Sequence, residues 1–88
     1  EEFLVITTGI DLASVKRIAV RLQQATRDIT VPWRDSVIGI SVSMGLAHSS
    51  EAADQEALLN RADKALYAAK EGGRNRICFR DNDTYLAV

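Results

Sequence analysis

Two periods of apolar residues run along this 88-residue chain, and they divide it into strands and helices. Phe3-Leu4-Val5-Ile6-Thr7 is a nearly continuous apolar run, which predicts a strand covered on both faces. Gly9 makes the turn that follows, and Asp11 is the expected N-cap of a helix. From Leu12 to about Thr26 apolar positions recur at Leu12, Val15, Ala19, Leu22 and Thr26, with Ile18 and Ala25 flanking. Lys16, Arg17, Arg21, Gln23 and Gln24 take the other face, so the pattern predicts an amphipathic helix with a solvated side. The segment through Pro32-Trp33-Arg34-Asp35-Ser36 reads as a short strand and a turn.

Val37 to Ala47 shows a period of two throughout and predicts the clearest strand. Ile38, Ile40, Val42, Met44 and Leu46 point one way; Gly39, Ser41, Ser43, Gly45 and Ala47 point the other. Something must approach the small face closely, either a packed helix or a ligand. His48-Ser49-Ser50 begins a loop, and Asp54 is the next expected N-cap, with Glu56 in the first turn. Leu58, Ala62, Leu66 and Ala69, with Leu59 and Ala65 alongside, form the stripe of a second helix running to about Lys70. Gly72-Gly73 supplies its left-handed cap, and a strand follows at about Arg76 to Arg80. Residues 81–88 carry no readable pattern.

Composition narrows this picture. The length allows one small domain, which would bury roughly 60–65% of its unfolded surface. A net charge of −1 gives no broad footprint for nucleic acid or an anionic membrane. The lone cysteine, Cys78, excludes an internal disulfide and suits a reducing, cytoplasmic setting. No apolar run approaches the ~20 residues that span a bilayer, and no signal peptide is visible, so any membrane anchor lies outside this chain. The only methionine is Met44, and the chain reads as a piece of a longer protein. His48 and Cys78 have no partners at metal-ligand spacing and are assigned no chemistry. Lys70 and Arg74 straddle the helix stop and can converge on one anion. The negative end of the helix dipole lies there, so a phosphate would have to be held by side chains.

The stretch from Ala62 to Asn75, A-D-x-A-L-Y-x-A-K-x-x-G-R-N, resembles the C-terminal signature of GGDEF domains, the bacterial diguanylate cyclases. Glu1-Glu2-Phe3 resembles the end of the GG[DE]EF signature, and Val42-Ser43-Met44-Gly45 the family's T-V-S-x-G strand. Order and spacing agree from Glu1 to about Phe79. The resemblance implies an α+β, ferredoxin-like fold akin to the adenylyl cyclase core. The chain would be the portion from the central hairpin tip onward, in the order strand, helix, strand or strands, helix, strand. Residues 1–80 would then be the C-terminal part of the domain and 81–88 a tail.

The implied reaction condenses two GTP into cyclic di-GMP, with Mg²⁺ or Mn²⁺ as cofactor and two domains facing each other as a homodimer. A sensory or receiver domain is expected upstream, and the 88 residues alone are not expected to be active. By the resemblance Glu1 is a Mg²⁺ ligand and Glu2 an acidic residue of the same catalytic site, though two such glutamates can also be merely solvated. Lys70 and Arg74 match positions that contact the GTP phosphates; helix-end complementation is their plainer role. Arg21 lies where some members place a secondary product-inhibition contact, or is simply a solvated cation. Asp63 is expected to tie its helix to neighbours, Tyr67 to pack with its hydroxyl at the surface, and Asn75 to serve a turn. The competing readings are a degenerate domain that binds GTP or cyclic di-GMP without catalysis, and a module that only dimerises.

Overall fold

The computed structural model describes residues 10–88, so the predicted strand Phe3–Thr7, the turn at Gly9, and Glu1 and Glu2 lie outside the described residues. Helix α1 spans Leu12–Arg27 and is capped by Asp11, whose carboxylate accepts from the Ser14 amide at 2.8 Å. Strands β1 (Thr30–Trp33) and β2 (Ser36–Gly39) form an antiparallel hairpin whose residues are all exposed. Strand β3 (Met44–Leu46) is followed by a short 3-10 turn at Ser49–Glu51 and by helix α2 (Gln55–Glu71). Asp54 caps α2 by accepting from the Ala57 amide at 2.8 Å. Strands β4 (Ile77–Asp81) and β5 (Thr84–Ala87) complete a three-stranded sheet in the order β3-β4-β5. The architecture is α+β, with a β3-α2-β4 crossover at its centre.

The predicted strand Val37–Ala47 is broken in two. Its first part pairs with β1, and that ladder ends at Thr30↔Gly39. It can go no further, because Asp28 and Ile29 are already committed to carbonyls in the last turn of α1. Its second part joins a different sheet, where Met44, Gly45 and Leu46 run parallel to Ile77, Cys78 and Phe79. Residues 40–43 bridge the two sheets without a ladder. Residues 81–88, patternless in sequence, carry the end of β4 and all of β5, joined through a turn with Asn82 at φ 55°.

The small stripe is used by a helix at Gly45, as one of the two expectations had it, whereas a Cβ on Gly39 would meet nothing within 4 Å and Ser41 is exposed. A Cβ on Gly45 would be driven into the Ala62 carbonyl oxygen and the Leu66 amide nitrogen, and would lie 2.7 Å from the Leu66 Cα. Ala65 and Ala69 on α2 are fully buried and keep the helix close to the sheet. Gly45 and Cys78 share this face; by the period of two, Met44, Leu46, Ile77 and Phe79 share the opposite one. There α1 lies, with the Lys16 ammonium 3.5 Å from the centre of the Phe79 ring.

Two expectations for α1 are corrected by this contact. Gln23, placed on the solvated face, is buried, and Leu22, placed on the apolar stripe, is 43% exposed. Lys16 covers Phe79 of the sheet, and Ala19 and Gln23, three and seven residues further on, are the buried positions of the helix; a lysine stem and an amide can each cover apolar surface.

Two outcomes follow from this packing. Gly45→Ala should destabilise the full-length protein by about 1–3 kcal/mol, since the clash is with helix backbone and not with a movable side chain, and denaturant melts would show it. Hydrogen bonds from Ser14, side chain first and amide second, hold the Asp11 carboxyl below its ordinary value of 3.8. A depressed carboxylate contributes stability above the unfolded value and loses it as pH falls through the folded one. Asp11→Asn should therefore keep the cap at neutral pH yet flatten the acid limb of a melting-temperature profile below 3.8.

Candidate functional site

The two cations flanking the helix stop are set by a full Schellman closure of α2. Gly72 is still right-handed, at φ −76°, and its amide donates to the Ala68 carbonyl. Gly73 is the left-handed residue, at φ +119°. Its amide donates to the Lys70 carbonyl at 3.3 Å, and the Arg74 amide donates to the Ala69 carbonyl at 3.0 Å, the two bonds that define the motif. The expected cap is thus Gly73 rather than the glycine pair. Gly73 is also crowded: a Cβ there would lie 2.6 Å from Nη2 of Arg76, whose Nε donates to the Arg74 carbonyl at 3.0 Å.

The left-handed backbone does not stop at the glycine. Arg74 has φ 64° and Asn75 φ 49°. Asparagine tolerates that region; a long side chain such as arginine enters it only where the surroundings over-determine the turn. Three contacts do so at Asn75. Its amide donates to Ser43 Oγ at 3.0 Å, its side-chain oxygen accepts from Arg27 Nε at 3.2 Å, and its carbonyl accepts from Arg27 Nη2 at 3.4 Å. The chain then enters β4, with the Met44 amide donating to the Arg76 carbonyl at 2.9 Å.

Lys70, half-buried in the last turn of α2, and Arg74, exposed in the turn, therefore sit at the same end of one helix. Arg76, within the turn, and Arg27, reaching Asn75 from the end of α1, add two further cations here. Arg21 is not brought to this place. It is exposed on α1 and lines a shallow cleft of about 350 Å³ with Lys16, Arg17, Val20 and Val88. Asp63 and Tyr67 are exposed on the outer face of α2 and line a second open cleft with Tyr85 and Glu71. Tyr67 is 65% exposed, so more than its hydroxyl meets solvent. The nearby Glu71 carboxylate, by hydrogen bonding first and charge second, raises the phenol above its ordinary 10.0.

Sequence reasoning missed Arg27, Ser43 and Arg76. No local signal marks Arg27, which reaches across 48 positions to Asn75. His48, assigned no chemistry, has a structural task. Its Nε2 lies 2.9 Å from the Ile10 carbonyl, which can only accept, so Nε2 carries the proton and Nδ1 accepts from the Ser50 amide at 3.1 Å. Glu51 accepts from the His48 amide and pairs with Arg61 of α2 at 2.7 Å. Among the described residues no cluster of three or more His, Cys, Asp or Glu could hold a metal ion. Among them, too, no helix is long and apolar enough to cross a membrane.

The sequence profile of the diguanylate cyclase GGDEF domain matches residues 1–76. Diguanylate cyclase A of Treponema denticola is 26% identical over 84 residues, covering 94% of this chain and 23% of that protein. The response regulator PleD of Caulobacter vibrioides is 38% identical over 80 residues, covering 88% of this chain and 18% of PleD. The cyclic di-GMP phosphodiesterase PdeR of Escherichia coli is 36% identical over 81 residues, covering 89% of this chain and 12% of PdeR. The chain thus spans less than a quarter of the length of these relatives. No solved structure matches it significantly.

Proposed function

The chain belongs to the GGDEF domain family, and from that premise we propose that its parent protein condenses two GTP into cyclic di-GMP. The observation that carries the reading is the turn at residues 72–76. Lys70, just before that turn, and Arg74, within it, both inside the matched residues 1–76, stand at a helix end otherwise hostile to phosphate. Their charges and donors would bind the GTP phosphates and offset the negative charge that builds up in transfer.

In each of two transfers a 3′-hydroxyl oxygen forms a bond to the α-phosphorus of the other GTP, the bond from that phosphorus to pyrophosphate breaks, and the hydroxyl proton passes to solvent. Two domains must therefore face each other, each presenting one nucleotide. Glu1 and Glu2, which resemble the acidic positions of the family signature, would hold Mg²⁺ or Mn²⁺, since hard cations take carboxylate oxygens. The bound metal would supply Lewis-acid neutralisation of phosphate oxygens. Lys70 and Arg74 orient the phosphates independently of it.

A second reading is a domain that binds GTP or cyclic di-GMP and regulates an attached partner. That one relative is named a cyclic di-GMP phosphodiesterase favours keeping it in view. Binding and turnover measured together separate the two. In the full-length protein, chromatography of the products of GTP should show cyclic di-GMP, and Glu1→Ala or Glu2→Ala should abolish it without lowering the melting temperature. GTP binding without product in the wild type would support the regulatory reading.

Lys70→Ala and Arg74→Ala should each weaken GTP binding or kcat/KM by roughly ten- to a hundredfold, since a hydrogen bond to a charged group contributes about 1.5–3 kcal/mol. Lys70→Arg and Arg74→Lys should rescue only in part, because a point-like ammonium and a planar fork differ in geometry. If both alanine variants melt lower but keep wild-type kinetics, these cations are helix caps and the assignment fails.

A further inference from the structure

We propose that Arg27, at the end of α1, is a positioning residue for the phosphate turn: it clips Asn75 in place and thereby fixes the backbone that carries Arg74. This rests on the reading of Arg74 as a phosphate contact. The geometry is specific. Two adjacent guanidinium donors of Arg27, Nε and Nη2, divide between the side-chain oxygen and the main-chain carbonyl of Asn75. Because both acceptors belong to one residue, the fork constrains its orientation as well as its position.

Asn75 and Arg74 are consecutive left-handed residues, and such backbone persists only where several contacts agree on it. The Schellman bonds stop at the Arg74 amide. Beyond it, the Ser43 hydroxyl and Arg27 hold the next residue, from a different strand and a different helix. Removing Arg27 leaves Asn75 with the Ser43 contact alone among these three. The peptide between Arg74 and Asn75 then keeps only its bonds to Ser43 and to the Arg76 guanidinium, while the Asn75 carbonyl and side chain lose their partner, and the origin of the Arg74 side chain is held less firmly.

The plain alternative is that Arg27 is a cation in the last turn of α1, complementing the helix dipole. Lysine would serve that purpose equally and cannot reproduce the fork. The charge-preserving substitution therefore separates the two.

The test uses the full-length protein and 3′-deoxy-GTP, which carries the phosphates but lacks the attacking hydroxyl. Arg27→Lys and Arg27→Ala should each weaken its binding roughly three- to tenfold, the loss expected for one or two hydrogen bonds acting through a neighbour. Asn75→Gly, which keeps the left-handed backbone but removes the side-chain acceptor, should weaken binding comparably. Combining it with Arg27→Ala should cost less than the product of the single effects, the signature of a shared interaction. With GTP, KM should rise more than kcat falls. Wild-type binding by Arg27→Lys, beside a weakened Arg74→Ala, would overturn the clip and leave the phosphate reading intact. Wild-type binding by Arg74→Ala would overturn the phosphate reading and this proposal with it. Amide hydrogen exchange at Arg74 and Asn75, measured without nucleotide, tests the clip directly: it should accelerate in Arg27→Lys, and unchanged exchange would refute the proposal whatever the nucleotide does.

Discussion

The backbone of α2 lies against β3 at Gly45, and the rest of the structure depends on that approach. A side chain there would collide with the Ala62 carbonyl and the Leu66 amide, so only glycine lets the helix axis settle at this height. Parallel strands need a crossover, and here the crossover is the helix itself. Once α2 is seated, its last turn must deliver the chain back to the start of β4. The Schellman closure and the two left-handed residues after it accomplish that reversal within residues 72–76. The path that brings Arg74 to the surface is thus a consequence of how closely a helix can pack on a strand.

That geometry also fixes the electrostatics. In open α/β sheets anions usually gather at the carboxyl ends of strands, beside helix N-termini whose free amides welcome them. The turn at 72–76 lies at the amino ends of β3 and β4, beside the C-terminus of α2. Free carbonyls face outward at such an end, and the Schellman bonds consume part of that acceptor surface. What remains is offset by Lys70, Arg74, Arg76 and Arg27, drawn from both helices and the entry to β4. A concentration of cations complements the negative end of the dipole, and an anion held at that end would need it.

The features legible in sequence were those encoded locally. Asp11 and Asp54 announced their helices because a cap is a relation between residues three apart. The small stripe through Gly45 announced a close neighbour, and that neighbour is α2. The break in Val37–Ala47 was hidden, since a period of two says which way side chains point but not which strand lies alongside. Strand β5 was hidden for a related reason: Thr84-Tyr85-Leu86-Ala87 gains its identity from β4, not from its own pattern. Gln23 went astray because a helix can bury an amide where its contact line, not its apolar stripe, meets the sheet. Lys70 and Arg74 were legible from spacing as two cations straddling a helix stop, and their expected role toward GTP phosphates came from resemblance. The support beneath them, from Ser43 and Arg27, joins positions 32 and 48 apart and has no local trace.

The attachment of α1 shows why such long-range polar contacts matter here. Just before its first turn, the Ile10 carbonyl accepts from His48, and after its last, Arg27 reaches Asn75; midway, Lys16 covers Phe79. An apolar interface is non-directional and tolerates sliding, whereas a hydrogen bond weakens steeply once its angle is lost. Advancing α1 by one residue would move Arg27 by about 1.5 Å along the axis and about 100° around it, enough to break both bonds to Asn75. Polar clasps at its two ends therefore select one register of the helix on the sheet. That suits a helix whose buried positions are only an alanine and a glutamine. The turn at 72–76 inherits that register through Asn75, so its order is set as much by α1 as by the helix that precedes it.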